Sequence, residues 1–241
     1  MVELTGKQRD NMAPLFEGVP VWRAFIGSAI ENGFGRIVVD DESDPKVAAL
    51  FYSGLLIYAG DAESLRVGGI MRCFEVQPVI LGHSAAWNAK IEKHLGEKIK
   101  QTKRYHLPAS SLKHRVADDI LAHGESGCRE VREDDIDRLG PSLGWEHHTH
   151  HFRGRDDFLA RGNGFVVELN GSIVSGASSF AVSRSFSECQ VSTAEGERRK
   201  GYARLTSAAY LSSCARQGLE TPWDAANEAS VALARTLGFT K

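Results

Sequence analysis

Hydrophobic and polar positions in the first part of the chain change between the period of a helix and that of a strand. Over residues 21–30, apolar side chains recur three or four positions apart at Trp22, Phe25, Ile26 and Ile30, which predicts an amphipathic helix. Further strands are predicted in 36–40, 77–81 and 98–107, and two more in 47–59, one on each side of Ser53-Gly54. A helix is predicted in 85–95, with Ser84 as its N-cap. This part of the chain is predicted to be α/β.

The second part shows a different order of elements. Residues 113–127 are polar and helical without a strong apolar stripe, so we expect them to connect two domains, 1–115 and 125–241. Beyond them, Asn170-Gly171 separates two strand patterns and suits the positive φ angles of a type I′ hairpin. The later pattern predicts a strand in 187–193, a helix in 201–217, a short strand in 221–225 and a helix in 227–238.

Composition limits the classes of partner. The 241 residues are 42% hydrophobic and 25% charged with a formal net charge of -2, so no field of one sign predicts binding to nucleic acid or to an anionic membrane. The first residues lack the apolar core of a signal peptide. The apolar stretch 47–59 is shorter than the about 20 residues that span a bilayer. The four cysteines are widely spaced, which predicts reduced thiols and a cytoplasmic location: Cys73, Cys128, Cys189 and Cys214.

The segment 190–203, QVSTAEGERRKGYA, carries the clearest chemistry. A strand runs into a loop and the loop into a helix, whose first N–H groups have no intrahelical partners and attract anions. Gly201 permits close approach of a ligand to the backbone. Four basic side chains surround this position, Arg198, Arg199, Lys200 and Arg204. The segment predicts a site for a phosphorylated ligand; a solvated basic loop that only precedes a helix is the alternative.

This loop resembles the signature Gln/Arg-x-x-Gly-x-Gly/Ala of the GNAT superfamily of acyl-CoA-dependent N-acyltransferases, which Arg198, Gly201 and Ala203 match. The stretch 227–239 is similar to a later motif of that superfamily, an Asn followed by a helix that ends in Gly-Phe. The resemblance covers about residues 127–241. With the α/β first half and residues 222–227, the layout is similar to a two-part GNAT subgroup that includes acetyltransferases conferring resistance to amino-antibiotics.

The resemblance implies an α/β (α+β) fold in which helices flank a mixed, largely antiparallel central sheet, with a smaller N-terminal α/β domain. It implies transfer of the acetyl group of acetyl-CoA to an amine of a small molecule, an amino-antibiotic or a metabolite, by direct attack. In the superfamily the cofactor strand parts from its neighbour at a bulge, and the cofactor binds along it. The residues carried over as cofactor-binding are Val191, Ser192, Thr193, Arg198, Arg199, Lys200, Gly201, Tyr202, Ala203, Arg204, Asn227 and Ser230.

Direct attack needs a base for the amine proton and an acid for the leaving thiolate. Glu188 and Asp224 are the candidate bases, and a solvated or salt-bridged carboxylate is the alternative for each. The tyrosine that many superfamily members use as the acid would fall at Ala234. Another donor, unaided departure of the thiolate and loss of activity all remain open.

Four histidines, His147, His148, His150 and His151, form a cluster. Because no Cys or distant acidic motif completes a metal site, we expect them to border the acceptor side of the cleft and to hold no metal. Cys189 has no neighbouring base in the sequence and is expected to be a packing residue and not an acyl-carrying nucleophile.

Two readings of a different kind stay open beside the small-molecule acetyltransferase: a catalytically weak acyl-CoA-binding or sensor module, and an acetyltransferase acting on a protein amine. Superfamily members commonly continue beyond the position of Lys241 into one more strand, which leaves a partner-completed sheet and a homodimer as further hypotheses.

Overall fold

The computed structural model describes residues 1–73, 79–123, 127–143 and 151–240. These residues divide into two compact units, the first over Met1–Thr102 and the second over Lys103–Lys241. The division falls earlier than the predicted connection at 113–127, which holds a helix of the second unit. None of the helices within the described ranges is long and apolar enough to cross a membrane.

The first unit is a five-stranded sheet with helices. Its strands, in sheet order, are β1 (Val2–Leu4), β2 (Arg36–Val39), β3 (Val47–Tyr52), β4 (Leu55–Gly60) and β5 (Val79–Ile80). Neighbouring strands are antiparallel except for β4 and β5, which are parallel. The helices are α1 (Arg23–Glu31), α2 (Val67–Ile70) and α3 (Ala85–Leu95).

Local sequence signals explain much of this unit. The Ser84 side chain accepts a hydrogen bond from the Trp87 N–H and caps α3, as predicted. Ser53 and Gly54 both have positive φ and form the tight turn between β3 and β4. The predicted strand at 98–107 is wrong for most of its length, because Gly96–Lys98 form a single 3-10 turn and regular pairing begins only at Tyr105.

The second unit contains a four-stranded antiparallel sheet in the order β10-β9-β8-β7. Its strands are β7 (Cys128–Glu130), β8 (Gly164–Leu169), β9 (Ser172–Val182) and β10 (Ser187–Thr193). Asn170 and Gly171 have φ angles of 50° and 80°, which confirms the predicted hairpin turn between β8 and β9. A separate antiparallel pair joins β6 (Tyr105–Leu107) to β11 (Trp223–Ala225).

Helices cover both faces of this sheet. The helices are α4 (His114–His123), α5 (Ile136–Leu143), α6 (Arg155–Arg161), α7 (Tyr202–Arg216) and α8 (Glu228–Thr236). Phe165 and Ala177 pack into a core with α7, α8 and β11, whereas Val166, the residue after Phe165, packs against Leu139 and Leu143 of α5. Since consecutive strand residues face opposite ways, α7 and α5 lie on opposite faces. The mixed, largely antiparallel architecture with flanking helices is the predicted fold class.

An ionic network fixes α5 to the sheet. The fully buried Asp135 carboxylate accepts from Arg129 at 2.5 Å and from Arg138 at 3.1 Å. Both arginines also pair with Glu168 on β8. These contacts hold the pKa of Asp135 below its usual value, the hydrogen bond from Arg129 being the largest cause. The network gives the face opposite α7 a rigid border.

Candidate active site

Strands β10 and β11 begin side by side and then part. The Ser187 N–H donates to the Glu220 carbonyl at 2.9 Å, and the Glu220 N–H donates to the Ser185 carbonyl at 2.8 Å. Phe186 and Glu220 form a parallel bridge, after which β11 pairs with β6. Within the described ranges, β10 is an edge strand beyond this bridge. The two strands therefore form a fork that opens toward the end of β10.

A bulge marks the same point on the other edge of β10. Glu188 pairs with Ala181 and Cys189 pairs with Ser179, so Phe180 is an extra residue in β9. The resemblance led us to expect that the cofactor strand parts from its neighbour at a bulge; the irregularity lies at that point along β10, in its pairing with β9. The buried Tyr210 hydroxyl of α7 donates to the Glu188 carbonyl at 3.2 Å and lies 2.6 Å from the Ser187 hydroxyl. Tyr210 thus anchors the backbone at the bulge.

The open edge of β10 presents backbone N–H groups. The Ala194 N–H donates to the carbonyl of Val174 on β9 at 2.8 Å, whereas the Ser187 N–H points to the opposite edge. Because N–H groups along a strand alternate between its edges, those of Val191 and Thr193 point toward the fork. A ligand that extends along this edge can be hydrogen-bonded as an added strand is.

The side chains of β10 divide between the two faces. The Ser187 hydroxyl contacts Tyr210, and Cys189 and Val191 pack against the core that contains α7. Glu188, Gln190 and Ser192 therefore face the opposite side. The carboxyl group of Glu188 and the amide of Gln190 belong to side chains only 6% and 5% exposed. This face brings polar groups into a largely buried position beside the fork.

Glu188 and Asp224, the two predicted catalytic residues, lie together. Trp223 and Ala225 pack into the α7 core, so Asp224 between them faces the same side as Glu188. The Asp224 N–H donates a hydrogen bond to the Glu188 carboxyl group. Burial raises the pKa of Glu188 well above its usual value, and the nearby Asp224 carboxylate raises it further. Glu188 is thus a carboxyl group that keeps its proton to a higher pH than an ordinary carboxyl group does.

Strand β6 adds two residues that sequence reasoning missed. The Arg104 guanidinium, just before β6, binds both carboxylate oxygens of Asp224, with Nη2–Oδ2 at 2.8 Å and Nε–Oδ1 at 3.2 Å. His106 lies directly across from Asp224 in the register of β6 and β11. Burial lowers the pKa of His106, so the imidazole is neutral near pH 7. Asp224 is therefore salt-bridged, the alternative considered for it, and Glu188 is the better candidate base.

The predicted phosphate site lies at the start of α7. Gly201 precedes the helix with φ of 89°, and no side chain caps this end. Arg199 also has a positive φ, of 65°. Left-handed residues interspersed in a loop turn N–H groups toward a common point, as in backbone nests that bind anions. Apart from the glycine and its two chain neighbours, no described residue has an atom within 4 Å of where a Gly201 Cβ would stand. The start of α7 is an open, polar end of the kind that accepts a phosphate.

The predicted cofactor residues differ in what else they contact. Lys200 pairs with Glu197 at 2.9 Å, and Arg198 donates to the Thr193 carbonyl at 3.3 Å. Arg199 and Arg204 are exposed, and Tyr202 and Ala203 are half-buried in the first turn of α7. Arg199 and Arg204 therefore offer more positive charge to a ligand at the start of α7 than Lys200, which is paired with Glu197.

Asn227 and Ser230 are engaged in the fold. The Asn227 Oδ1 atom accepts from the Ser230 N–H at 3.0 Å and caps α8. The Ser230 hydroxyl accepts from the Trp223 indole N–H at 3.0 Å. Their predicted cofactor contacts stay a prediction, while their structural role is to join α8 to β11.

Ala234 is 0% exposed. It packs in the core of α7, α8 and β11 with Val231 and Leu237. A tyrosine at this position would have to displace packed side chains before its hydroxyl could act as an acid.

We expect Ala234→Tyr to lower the stability of the protein by about 1–3 kcal/mol because it overpacks this core. Thermal unfolding measures the change. Ala232→Tyr, on the exposed face of the same helix, is the control and should leave the melting temperature within about 1 °C of wild type, as surface substitutions usually do. An Ala234→Tyr protein as stable as wild type would show that the core has room for the ring.

Of the histidine cluster, only His151 lies within the described residues; His147, His148 and His150 lie outside them. The His151 ring lies 4.0 Å, between centroids, from the ring of Phe180, the extra residue of the bulge. Phe180 follows Ser179, whose hydroxyl contacts the Tyr210 hydroxyl of α7, so Phe180 faces the opposite side of the sheet, the side of Glu188. His151 thus borders this face, while the predicted role of the cluster remains a prediction.

Comparison with known proteins places this geometry in a family. A family model described as GNAT acetyltransferase matches residues 13–241. A search of the curated proteins finds no match.

Solved structures of low identity share the fold. A GCN5-related N-acetyltransferase-like protein from Streptococcus suis is 23% identical with a TM-score of 0.78, over 97% of this chain and 95% of that one. A GCN5-related N-acetyltransferase from Kribbella flavida is 15% identical with a TM-score of 0.60, over 90% and 91% of the two chains. Since the family model spans nearly the whole sequence, the chain belongs to the GNAT acetyltransferase family.

Proposed function

We propose that this acetyltransferase moves the acetyl group of acetyl-CoA to the amine of a small molecule by direct attack, with no acyl-enzyme. The observation that carries the proposal is the fork between β10 and β11, which has a buried Glu188 at its base and the uncapped start of α7 at its far end. From Glu188 to Thr193 the strand extends about 17 Å at about 3.3 Å per residue. A ligand that reaches both ends must be long and must carry phosphate at one end, as acetyl-CoA does.

The described residues fit that ligand at both ends. Gly201 and Arg199 turn the loop so that the first N–H groups of α7 can receive the pyrophosphate, with Arg199 and Arg204 supplying positive charge. The N–H groups of Thr193 and Val191 would hold the extended arm along the open edge. The Val191 N–H, nearer the fork, is the candidate donor to the thioester oxygen as negative charge develops there.

Glu188 would act as the base. The amine nitrogen attacks the thioester carbon, a C–N bond forms, and the C–S bond breaks with its electron pair left on sulfur. The proton lost by nitrogen passes to the Glu188 carboxylate, directly or through one water, and is then available to the thiolate. A carboxyl group with a raised pKa suits both steps, because its carboxylate binds the amine proton more strongly than an ordinary carboxylate would, and its acid form still holds a proton for the thiolate at a pH where an ordinary carboxyl group has lost it. Arg104 holds Asp224, and the Asp224 N–H holds Glu188.

A second candidate is an acyl-CoA-binding module with weak catalysis, and Ala234 is the observation that favours it. Alanine stands where many superfamily members have the tyrosine that acts as the acid. This Ala234 is buried among core side chains. The CoA thiol has a pKa near 8.5, so its thiolate is an acceptable leaving group without protonation. The absence of this acid is therefore expected to lower the rate by about 10²-fold and not to abolish transfer.

Turnover separates these functions. Acetyl-CoA is incubated with a panel of small amines and with a lysine-containing peptide, and both free CoA and N-acetyl products are measured. The proposal predicts N-acetylation of small amines at a rate above that of the peptide. Binding of acetyl-CoA without transfer to any amine supports the sensor module, and preference for the peptide supports a protein acceptor.

A further inference from the structure

Gln190 is a buried amide that the fold does not use. Its side chain is 5% exposed, and neither its Nε2 nor its Oε1 atom has a hydrogen-bond partner among the described residues. Buried polar atoms in native proteins are nearly always bonded, and an unpartnered one calls for an explanation. A buried amide that lacks two partners lowers the stability of the folded state.

The position of Gln190 supplies that explanation. It lies two residues after Glu188 on the same face of β10, so their Cα atoms are about 6.6 Å apart. Its cross-strand partner is Ser178. A small acceptor whose amine reaches Glu188 therefore lies within reach of the Gln190 amide. By contrast, the amide of Gln217, at the end of α7, is bonded to Asn163 and Ser213.

Resting on the function proposed above, we propose that Gln190 determines acceptor specificity by hydrogen bonding to a carboxamide next to the reactive amine. The Nε2 group donates to the carbonyl oxygen of that carboxamide, and Oε1 accepts from its N–H. Only a group that both donates and accepts satisfies the two unpartnered atoms together. The substrate class is therefore an amino amide, and an alkylamine of the same size leaves both atoms unsatisfied. His106, whose buried Nδ1 also lacks a partner among the described residues, adds a further polar group to this face.

The test compares glycinamide with n-propylamine, which has a similar size and no carboxamide. Because the carboxamide makes the glycinamide amine less basic, kcat/KM is expressed per concentration of neutral amine for both compounds. On this scale the wild-type value for glycinamide should exceed that for n-propylamine by about 10- to 10²-fold, the discrimination that two buried hydrogen bonds provide. Gln190→Met should bring this ratio close to 1, chiefly by raising the KM for glycinamide, and should leave the Kd of acetyl-CoA unchanged. Because the methionine removes two unsatisfied atoms, the melting temperature should rise by about 2–4 °C.

Gln217→Met is the matched control, since it removes a bonded amide from the same unit. It should leave the ratio of the two acceptors at the wild-type value and should not raise the melting temperature. A fall in the melting temperature of Gln190→Met would show that the amide is bonded in the folded protein and would overturn the inference. So would a wild-type enzyme that acetylates both amines equally, or an unchanged ratio in the variant. Absence of transfer to every amine tested would instead overturn the proposed function itself.

Discussion

Replacing Glu188 with glutamine is expected to lower kcat by about 10²- to 10³-fold, because the amide cannot take the amine proton. The side chain keeps its size and faces the same side of β10, so the Kd of acetyl-CoA should stay within about threefold of wild type, a free-energy change well under 1 kcal/mol. Steady-state rates and calorimetry measure the two quantities. Glu220→Gln is the control: this exposed carboxylate lies at the start of the fork, where its backbone, and not its side chain, is hydrogen-bonded to other described residues.

An unchanged kcat in Glu188→Gln would exclude the residue as base. His106 and the histidines of the 147–151 cluster would then be the remaining candidates for that role. Equal losses in Glu188→Gln and Glu220→Gln would mean that charge in this region, and not proton transfer, controls the rate.

The raised pKa of Glu188 gives this residue a pH signature. Its unfolded pKa is near the usual 4.5, and burial places the folded pKa well above it. The folded state therefore prefers the protonated form, and stability falls as pH rises from the unfolded toward the folded pKa. Glu188→Gln removes this penalty, so its melting temperature should exceed that of wild type by a margin that grows above pH 4.5 and then levels off. The wild-type kcat/KM should rise with pH over the same window. A constant margin between pH 5 and 9 would contradict the assignment.

Replacing Gly201 with valine is expected to raise the Kd of acetyl-CoA by about 10²-fold. The branched side chain would occupy the open space at the start of α7, and loss of one or two charge-assisted hydrogen bonds costs about 3 kcal/mol, with about 1.4 kcal/mol for each tenfold change. The positive φ of 89° also strains any residue with a Cβ.

Gly171→Val separates these two effects. Gly171 has φ of 80° and nothing within 4 Å of its Cβ position, but it lies in the turn between β8 and β9. Its substitution should lower the melting temperature as Gly201→Val does and leave the Kd unchanged. If calorimetry on folded Gly201→Val gave the wild-type Kd, the proposed position of the phosphate at the start of α7 would be wrong.

Local signals in the sequence predicted the parts of the fold that neighbouring residues determine. Asn170-Gly171, Ser84 and Asn227 each act within a few residues of themselves, and each forms the turn or cap that its type predicts. The loop before α7 belongs to the same group, since Gly201 adopts a conformation that glycine favours.

The site needed information that no local pattern carries. Arg104 and Asp224 are separated by 120 positions, and the pairing of β6 with β11 brings them together. The residues just before Tyr105 do not alternate between apolar and polar side chains, so their sequence does not indicate that this strand pairs with β11. The burial of Ala234 likewise depends on α7 and β11, which pack against it from elsewhere in the chain. Sequence therefore predicted the conformation of the loop before α7 more fully than the contacts among Glu188, Asp224 and Arg104.

Direct attack is the central claim, and the mass of the intact protein during turnover tests it most directly. Burial raises the pKa of the Cys189 thiol well above its usual range, with smaller contributions from Cys214 and Glu188, so this thiol is a poor nucleophile. The protein is mixed with acetyl-CoA, first without and then with an accepted amine, and its mass is recorded as product forms. We expect an unmodified protein throughout, with CoA released only as the N-acetyl amine appears. An acetyl group on the protein that forms before the amine is added and then passes to it would contradict direct attack.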